Sequence, residues 1–253
     1  MSEFVVIKEF VAAAQSATRL ESLAADTEAA VREFGFSYYA ILHHLDLQFP
    51  ANGLVRFSNY PSSWVAAMKA NRYFSEDPVL VASQKVANGF AWSDIPKILE
   101  LSARQREILD LAARAGVANG YTVPIHVPGE YAGSCSFGVR PGRDVVAAHL
   151  PLIHYLACFA FEAARRIVRQ RVVAPAKGLH LTGRQLDCLV LAGRGLPARE
   201  AAKWLGIKQD TFEKHIESAK LRAGVQTTTQ LVVRGLFEGA VTFNDLLSER
   251  NLH

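Results

Sequence analysis

The spacing of apolar residues divides this 253-residue chain into helices and strands. Helical periods cover about residues 6–20 and 23–34, and alternating apolar and polar positions predict strands at 38–45 and 54–58. Pro61 fixes its φ angle and lacks an N–H, so it predicts the start of another helix. We therefore expect one N-terminal α/β domain, without internal repeats or low-complexity segments.

A second group of elements follows in the same domain, with ends marked by capping and turn residues. Ser102 opens a capping box that predicts a helix, and Gly116 ends that helix. Strands at 121–126 and 134–139 are expected to pair as a hairpin around a Pro-Gly turn. Because these strands arrive in antiparallel pairs, the predicted sheet is mainly antiparallel.

A long amphipathic helix is predicted from about residue 143 to residue 171. A small domain cannot cover a helix of this length completely. We therefore expect the exposed part of the helix to form a dimer interface. Periodicity then stops, and a proline and a glycine favour a linker. The predicted apolar stripe of the helix is Leu152, Tyr155, Leu156, Phe159, Ala163 and Ile167. The expected divisions are an N-terminal domain at 1–172, a linker at 173–178 and a C-terminal domain at 179–253.

The C-terminal domain is predicted to contain four helices, of which the first three are short. The Thr182 hydroxyl can accept from the Gln185 backbone N–H while the Gln185 side chain accepts in return, which is a capping-box start. Pro197 starts the second helix, and a bend at Gly206 introduces the third. Two helices joined by such a turn, the second with a polar outer face, predict a helix-turn-helix. The buried stripe of the third helix is predicted to be Phe212, Ile216 and Ala219.

This segment resembles the C-terminal domain of LuxR-type transcription factors, with matching spacing throughout. The matching positions are Leu181, Thr182, Arg184, Glu200, Ala202, Leu205, Thr211, His215, Gly224, Val225 and Gly239. The chain departs from the family pattern at Gln185, Pro197, Lys208, Ala223 and Thr228. The resemblance predicts a DNA-binding domain.

The charge balance indicates how such a domain would bind DNA. The chain has 28 Lys and Arg against 24 Asp and Glu, a net charge of +4. Because phosphate contacts dominate non-specific affinity, this small excess predicts weak monomer binding and a dimer that doubles the contacts. Phosphate contact is predicted for Arg199, Lys203 and Lys214, base contact for Gln209, Asp210 and Glu213, and further DNA contact for Lys208. Alternatively, each of these residues belongs to a solvated helix surface that does not contact DNA.

Aromatic and acidic residues are concentrated between residues 59 and 92 in a mixture that is unusual for a plain core. A carboxylate among aromatic side chains needs a partner if it is buried, and a ligand could supply one. The block resembles the signal-binding domain of the same LuxR family, so the resemblance spans nearly the whole chain. The predicted ligand-binding residues are Tyr60, Trp64, Met68, Tyr73, Asp77, Trp92 and Ser136.

In that family the ligand is an N-acyl-homoserine lactone, and the resemblance implies a role for each position. Trp64 would donate its indole N–H to the lactone carbonyl, and Asp77 would accept from the amide N–H. Tyr60 and Ser136 would donate to the amide carbonyl, while Trp92 would pack against the lactone ring. Apolar walls would hold the acyl chain.

Two observations keep other interpretations open. Met68 stands where the family usually has a Tyr that closes the pocket, which favours a longer, branched or aryl acyl group or a different signal. Alternatively, the aromatic residues are ordinary core, and Asp77 is the N-cap of a helix beginning at Pro78.

Several classes of protein and site are disfavoured. No apolar run reaches about 20 residues and the N-terminus lacks a signal-peptide pattern, so a cytosolic protein is expected. Cys135, Cys158 and Cys188 lie in apolar contexts and are predicted to fill the core. His43 and His44 should face opposite sides of a strand, which disfavours a shared metal. Because hydrolase, zinc and phosphate-loop motifs are also absent, we expect no catalytic residues, metal or cofactor.

The sequence therefore predicts an α+β architecture, with an N-terminal α/β/α sandwich followed by a small all-α helix-turn-helix domain. The expected function is ligand-responsive transcriptional regulation in quorum sensing. The expected partners are promoter DNA, a small-molecule autoinducer and a second copy of the chain, with RNA polymerase or a related regulator as a further partner. Two alternatives remain. One is an orphan receptor that responds to another small molecule or to none, and the other is a non-DNA-binding heterodimer partner that inhibits a related regulator.

Overall fold

The chain forms two compact units. They comprise residues 1–126 with 131–173, and residues 127–130 with 174–253. The computed structural model describes residues 3–45, 53–128, 130–171 and 179–247. The predicted linker at 173–178 lies outside the described residues, as does Gly129 of the predicted hairpin turn.

The first unit alternates helices with the strands of one sheet. Its helices are α1 (Glu3–Ser16), α2 (Leu20–Glu33), α3 (Ser62–Ala70), α4 (Pro78–Ser83), α5 (Ile95–Ile98), α6 (Ala103–Arg114) and α7 (Leu150–Arg171). Its strands are β1 (Tyr38–His43), β2 (Arg56–Ser58), β3 (Phe90–Ala91), β4 (Asn119–Ile125) and β5 (Gly133–Val139). The capping box predicted at Ser102 is confirmed, because Ser102 Oγ accepts from the Gln105 N–H at 3.1 Å and Gln105 Oε1 accepts from the Ser102 N–H at 3.1 Å.

The five strands form an antiparallel sheet in the order β2-β1-β5-β4-β3. The register aligns one row of side chains across all five strands. The row consists of Ser58, Ala40, Ser136, Thr122 and Phe90. Residues opposite one another in a sheet share a face, so this row lies on one side of it. The predicted antiparallel sheet is confirmed, whereas the two-residue strand β3 is too short to show an alternating pattern.

Helices cover both faces of the sheet. On one face, α1, α2 and α7 pack on residues such as Ile41 and Phe137, together with Leu156 of α7. The opposite face is covered by α3, α4 and α6, and their buried residues include Trp64 and Ile108. This arrangement confirms the predicted α/β/α sandwich, because one sheet lies between two layers of helices.

Helix α7 begins later than predicted. It starts at Leu150 after a 3₁₀ turn at Ala147–His149, so the expected start near residue 143 is wrong. Pro151 fits the first turn because its missing N–H has no intrahelical partner there. The predicted stripe is also partly wrong. Tyr155 is 51% exposed and Ile153 is fully buried, since the packed face is rotated relative to the expected one.

The segment Ala147–Gln170 is long and apolar enough, by length and composition, to cross a membrane. This finding differs from the expectation that no apolar run is long enough. The apolar side chains of this segment include Leu156, Ala160 and Ile167, which are buried in the core beside the sheet. The segment is therefore partly buried as a core helix of the domain, with 39% of its most apolar part inside.

The three cysteines differ in environment. Cys135 and Cys188 are buried, as expected of small core residues. Cys158 is exposed on α7, so the prediction that it fills the core is wrong. It lies on the outer side of α7, where apolar residues continue around the helix beyond the face that packs on the domain.

The second unit is entirely helical in its described part. Its helices are α8 (Gly183–Gly193), α9 (Ala198–Leu205), α10 (Gln209–Ala223), α11 (Thr228–Phe237) and α12 (Phe243–Leu247). The capping box at Thr182 is confirmed, with Thr182 Oγ1 accepting from the Gln185 N–H at 3.3 Å. Gly206 ends α9 with a φ of 66°, a left-handed conformation that favours glycine. The predicted buried stripe of α10 is confirmed, because Phe212, Ile216 and Ala219 are all buried.

Candidate functional site

A cavity of about 160 Å³ lies between the sheet and helices α3, α4 and α6. Ala40 and Leu42 line its sheet side, and Leu80 and Ile108 line its helix side. Most of the wall is apolar, so the few polar groups in it determine how a ligand is oriented. Six of the seven predicted ligand-binding residues line this cavity: Tyr60, Trp64, Met68, Asp77, Trp92 and Ser136.

The seventh predicted residue, Tyr73, lies behind the cavity wall. Its ring stacks on that of Trp64, with centroids 6.5 Å apart and an interplanar angle of 29°. The Arg104 guanidinium covers the Tyr73 ring at 4.6 Å from the centroid. Tyr73 is not among the residues that line the cavity, and its stacking instead limits how the Trp64 indole can turn.

Asp77 serves both as a helix cap and as a cavity residue. Its Oδ1 accepts from the Val79 N–H at 2.8 Å, which makes it the N-cap of α4. A carboxylate has about four acceptor positions, so the cap leaves capacity for a ligand. Burial raises the pKa of Asp77 to about 6, while backbone hydrogen bonds from Val79 and Leu80 act to lower it. The two interpretations of this residue are therefore compatible.

Tyr60 and Trp64 bring two further donors to the cavity. Within the described part of the chain, neither the Tyr60 hydroxyl nor the Trp64 indole N–H has a hydrogen-bond partner. Burial raises the pKa of Tyr60, and the nearby Asp77 raises it further. Tyr60 is therefore protonated at neutral pH and can donate to a ligand. Tyr38 packs edge-on against its ring at 6.2 Å.

A fully buried threonine that was not predicted joins two of the predicted residues. The Trp92 indole N–H donates to Thr122 Oγ1 at 2.9 Å. Thr122 Oγ1 and Ser136 Oγ are also 2.9 Å apart. Alternation along β4 could have assigned Thr122 to a face, but only the register with β5 shows that it lies beside Ser136.

Gly120 allows Trp92 to approach the sheet. A Cβ atom added at Gly120 would lie 2.8 Å from the Trp92 ring and would also meet the Phe137 carbonyl oxygen. Side chains do not approach this closely, so a larger residue would displace Trp92 or the strand. The glycine therefore helps to fix one wall of the cavity.

The predicted DNA-binding residues of the second unit are all exposed. They lie along α9 and α10 at Arg199, Lys203, Lys208, Gln209, Asp210, Glu213 and Lys214. The Gln209 amide donates to Glu213 Oε1 at 2.7 Å, so part of the hydrogen-bonding capacity of this surface is used within α10. The remaining groups are free to meet DNA or solvent, and α10 has the polar outer face expected of a reading helix.

Comparison with known proteins identifies the family. A family model for the autoinducer binding domain matches residues 19–164. The chain belongs to this family of LuxR-type regulators. AhyR of Aeromonas hydrophila, a transcriptional activator protein, is 28% identical over 215 residues, which cover 83% of this chain and 82% of AhyR. RpaR of Rhodopseudomonas palustris, a quorum sensing-dependent regulator, is 24% identical over 94% of this chain and 93% of its own length.

Solved structures show the same fold as this LuxR-type chain. SdiA in complex with octanoyl-rac-glycerol superposes with a TM-score of 0.70 at 19% identity, covering 96% of this chain and 98% of SdiA. CepR2 of Burkholderia cenocepacia, an N-acylhomoserine lactone dependent factor, gives a TM-score of 0.53 at 16% identity, covering 68% of this chain and 98% of CepR2. These structures show the shared fold, and the family model with the sequence relatives identifies the chain as a quorum-sensing transcriptional regulator with an autoinducer-binding domain.

The structure accommodates one departure from the LuxR-type sequence pattern. Gln185, where the family usually has Glu, is 3% exposed. Its Oε1 accepts from the Thr182 N–H at 3.0 Å, and its Nε2 donates to Ser218 Oγ at 3.0 Å. A neutral amide satisfies both bonds without the cost of burying a charge, so this change preserves the link between α8 and α10.

Proposed function

We propose that this chain is a cytoplasmic transcriptional regulator that binds an N-acyl-homoserine lactone in the N-terminal cavity and promoter DNA as a dimer. The observation that carries the proposal is the set of polar groups on an otherwise apolar cavity wall. Trp64 and Tyr60 present donors without partners among the described residues, and Asp77 presents an acceptor. An acylated lactone offers the complementary amide donor and two carbonyl acceptors.

The orientation of the ligand follows from these groups. The amide N–H is placed against Asp77, the lactone carbonyl against the Trp64 indole, and the amide carbonyl against Tyr60 and Ser136. Each hydrogen bond to a neutral group contributes about 0.5–1.5 kcal/mol, so the set is large enough to select one orientation. The acyl chain then extends along the apolar wall formed by residues such as Leu80 and Ile108.

Ligand binding is expected to stabilise the N-terminal domain. Donors and acceptors in an apolar cavity are poorly solvated, and a ligand that pairs them binds the folded chain but not the unfolded one. A ligand present at 100 times its dissociation constant adds about 2.7 kcal/mol to the free energy of unfolding. Protein prepared without the signal should therefore melt at a lower temperature than protein prepared with it.

The dimer is proposed to form through the exposed side of α7. Tyr155 is 51% exposed and its ring lies 4.9 Å from that of the partly buried Phe159, so the two rings form an aromatic surface at the edge of the core. A second copy of the chain would cover this surface and bring two reading helices to one DNA site. Because acidic residues balance basic ones along α10, the doubled phosphate contacts are needed for useful affinity.

The first experiment identifies the ligand. The chain is expressed with a mixture of N-acyl-homoserine lactones, purified, extracted and analysed by mass spectrometry. The proposal expects one retained lactone, which is lost in Asp77→Ala. Asp110→Ala, which removes an exposed carboxylate from α6, should retain it. A folded wild-type protein that retains no lactone would contradict the proposal.

A second candidate function is a receptor of the same architecture for a different acylated molecule. Two observations favour it: Met68, a flexible side chain, lines the cavity, and the similar structure of SdiA contains octanoyl-rac-glycerol. An acylglycerol has ester and hydroxyl groups but no amide N–H. Retention of such a molecule by both the wild type and Asp77→Asn, with no lactone bound, would favour this candidate.

DNA binding is tested separately by mobility shift of promoter fragments at low salt. The proposal expects a shift by the liganded dimer. If neither the ligand-free nor the liganded protein shifts any fragment, the chain is better described as a heterodimer partner that inhibits a related regulator.

A further inference from the structure

Three side chains form a hydrogen-bonded row that ends at the cavity: Thr122 and Ser136 on the neighbouring strands β4 and β5, and Trp92 in the 3₁₀ turn that follows β3. Thr122 lies between Trp92 and Ser136, with oxygen distances of 2.9 Å to the Trp92 indole nitrogen and 2.9 Å to Ser136 Oγ. Thr122 is fully buried, and Ser136 is 5% exposed and lines the cavity. The register of β4 and β5 holds the two hydroxyl groups side by side.

The direction of these hydrogen bonds follows from the donors available. An indole N–H can only donate, so Thr122 Oγ1 accepts from Trp92. Among the described residues, Ser136 Oγ is the one acceptor within reach of the Thr122 hydroxyl proton. If Ser136 donated to Thr122, the Thr122 proton would be buried without an acceptor, which is unfavourable. Thr122 therefore donates to Ser136, and the Ser136 proton is left to donate elsewhere.

We propose that Thr122 is a positioning residue that makes the Ser136 hydroxyl a hydrogen-bond donor toward the cavity. The receptor is thereby specific for a ligand with a carbonyl acceptor at that point. This inference rests on the proposed function, because it assigns the acyl carbonyl of the ligand to Ser136. It adds a residue that does not touch the ligand but determines which kind of group Ser136 recognises.

The test is a double-mutant cycle on the full-length protein, with N-octanoyl-L-homoserine lactone as the probe and calorimetric titration as the readout. Thr122→Val keeps the shape of the side chain but removes the hydroxyl, and it should lower affinity about tenfold. Thr122→Ser retains the hydroxyl and should remain within about threefold of the wild type. In a Ser136→Ala background, Thr122→Val should change affinity by less than about twofold, because there is no longer a hydroxyl to orient.

A matched control separates positioning from loss of stability. Thr27 is fully buried in α2, on the other side of the sheet, where its hydroxyl donates to the Leu23 carbonyl at 2.6 Å. Thr27→Val should lower the melting temperature without changing affinity for the lactone. An equal loss of affinity from Thr122→Val in the wild-type and Ser136→Ala backgrounds would overturn the proposed role of Thr122.

Four further outcomes are informative. If Thr122→Val does not fold, Thr122→Ala removes the same hydroxyl, and affinity within twofold of the wild type would again overturn the role. An analogue of the lactone in which a methylene group replaces the amide carbonyl should bind to the wild type at least tenfold more weakly than the lactone does. Equal binding of the two compounds would also overturn the proposed role of Thr122. A folded wild-type protein that retains none of the lactones in the mixture would refute the proposed function itself. Lactone binding that is unchanged by Thr122→Val would refute only the present inference.

Discussion

The pKa of Asp77 leads to a specific prediction about how ligand affinity depends on pH. Burial raises this pKa to about 6, compared with an ordinary value of 3.8. The proposed hydrogen bond from the ligand amide N–H is stronger to the ionised carboxylate than to the protonated acid. Binding should therefore lower the pKa of Asp77 and, below pH 6, release a proton from it.

The size of the effect follows from the fraction of Asp77 that is ionised. At pH 7.5 nearly all of it is ionised, whereas at pH 5 about one tenth is, so affinity should fall roughly tenfold between these values. His44 does not contribute in this range, because burial, with the nearby His126 and His43, lowers its pKa to about 4 and leaves it neutral. The pH dependence in this range is therefore assigned to Asp77 rather than to His44.

The same pKa determines a change in the stability of the ligand-free protein. The folded chain binds the Asp77 proton more tightly than the unfolded chain does, so this group stabilises the fold fully below about pH 4. That contribution is lost as pH rises through 6, and a shift of about two pH units corresponds to roughly 3 kcal/mol. Ligand binding and ligand-free stability should thus change in opposite directions with pH.

The assay is calorimetric titration with N-octanoyl-L-homoserine lactone at pH 5 and pH 7.5, in buffers with different ionisation enthalpies so that proton release is measured directly. Asp77→Asn should bind more weakly and show no such pH dependence. Equal wild-type affinity at both pH values would refute the reasoning. So would a tenfold fall that persists in Asp77→Asn, since another group would then be responsible.

Three further predictions concern other parts of the molecule. Trp64→Phe removes one donor and should weaken lactone binding about three- to tenfold in the same titration, and the loss of packing against Tyr73 should also lower the ligand-free melting temperature. An unchanged affinity would exclude the indole as a donor. Gly120→Ala should lower the melting temperature by several degrees or abolish soluble expression, because the added Cβ meets Trp92. Gly183→Ala is the matched control, since its Cβ has nothing within 4 Å, and equal effects would argue against the steric explanation. Lys214→Ala should weaken operator binding and reduce the slope of log affinity against log salt by about one, and an unchanged slope would show that Lys214 does not contact phosphate.

Local sequence determined those features that depend on neighbouring residues. The capping boxes at Ser102 and Thr182 need one hydroxyl and one amide three residues apart, and both form as predicted. Gly206 ends α9 because its left-handed φ suits glycine. The start of α7 could not be placed as well, because the segment 143–149, with two valines and two alanines, is compatible with helix by composition but forms only a 3₁₀ turn at Ala147–His149 before α7 begins.

The residues of the candidate site could be predicted only in part from local sequence. Tyr60, Trp64 and Asp77 lie within one continuous stretch of the sequence. Aromatic and acidic residues this close together indicate a shared ligand site. Thr122 and Ser136 are brought together by strand register. Sequence alone does not fix that register, since a shift of one residue moves every side chain to the other face.

The sequence by itself indicated the LuxR-type family, the helix starts with local caps and six of the residues that line the cavity. Tertiary structure decided which predicted residues reach the cavity. It placed Tyr73 behind Trp64, left Cys158 exposed on α7, and joined Trp92 to Ser136 through Thr122. The physical reason is that caps and turns depend on interactions within a few residues. Burial, stacking and hydrogen bonds between strands depend instead on which distant segments pack together.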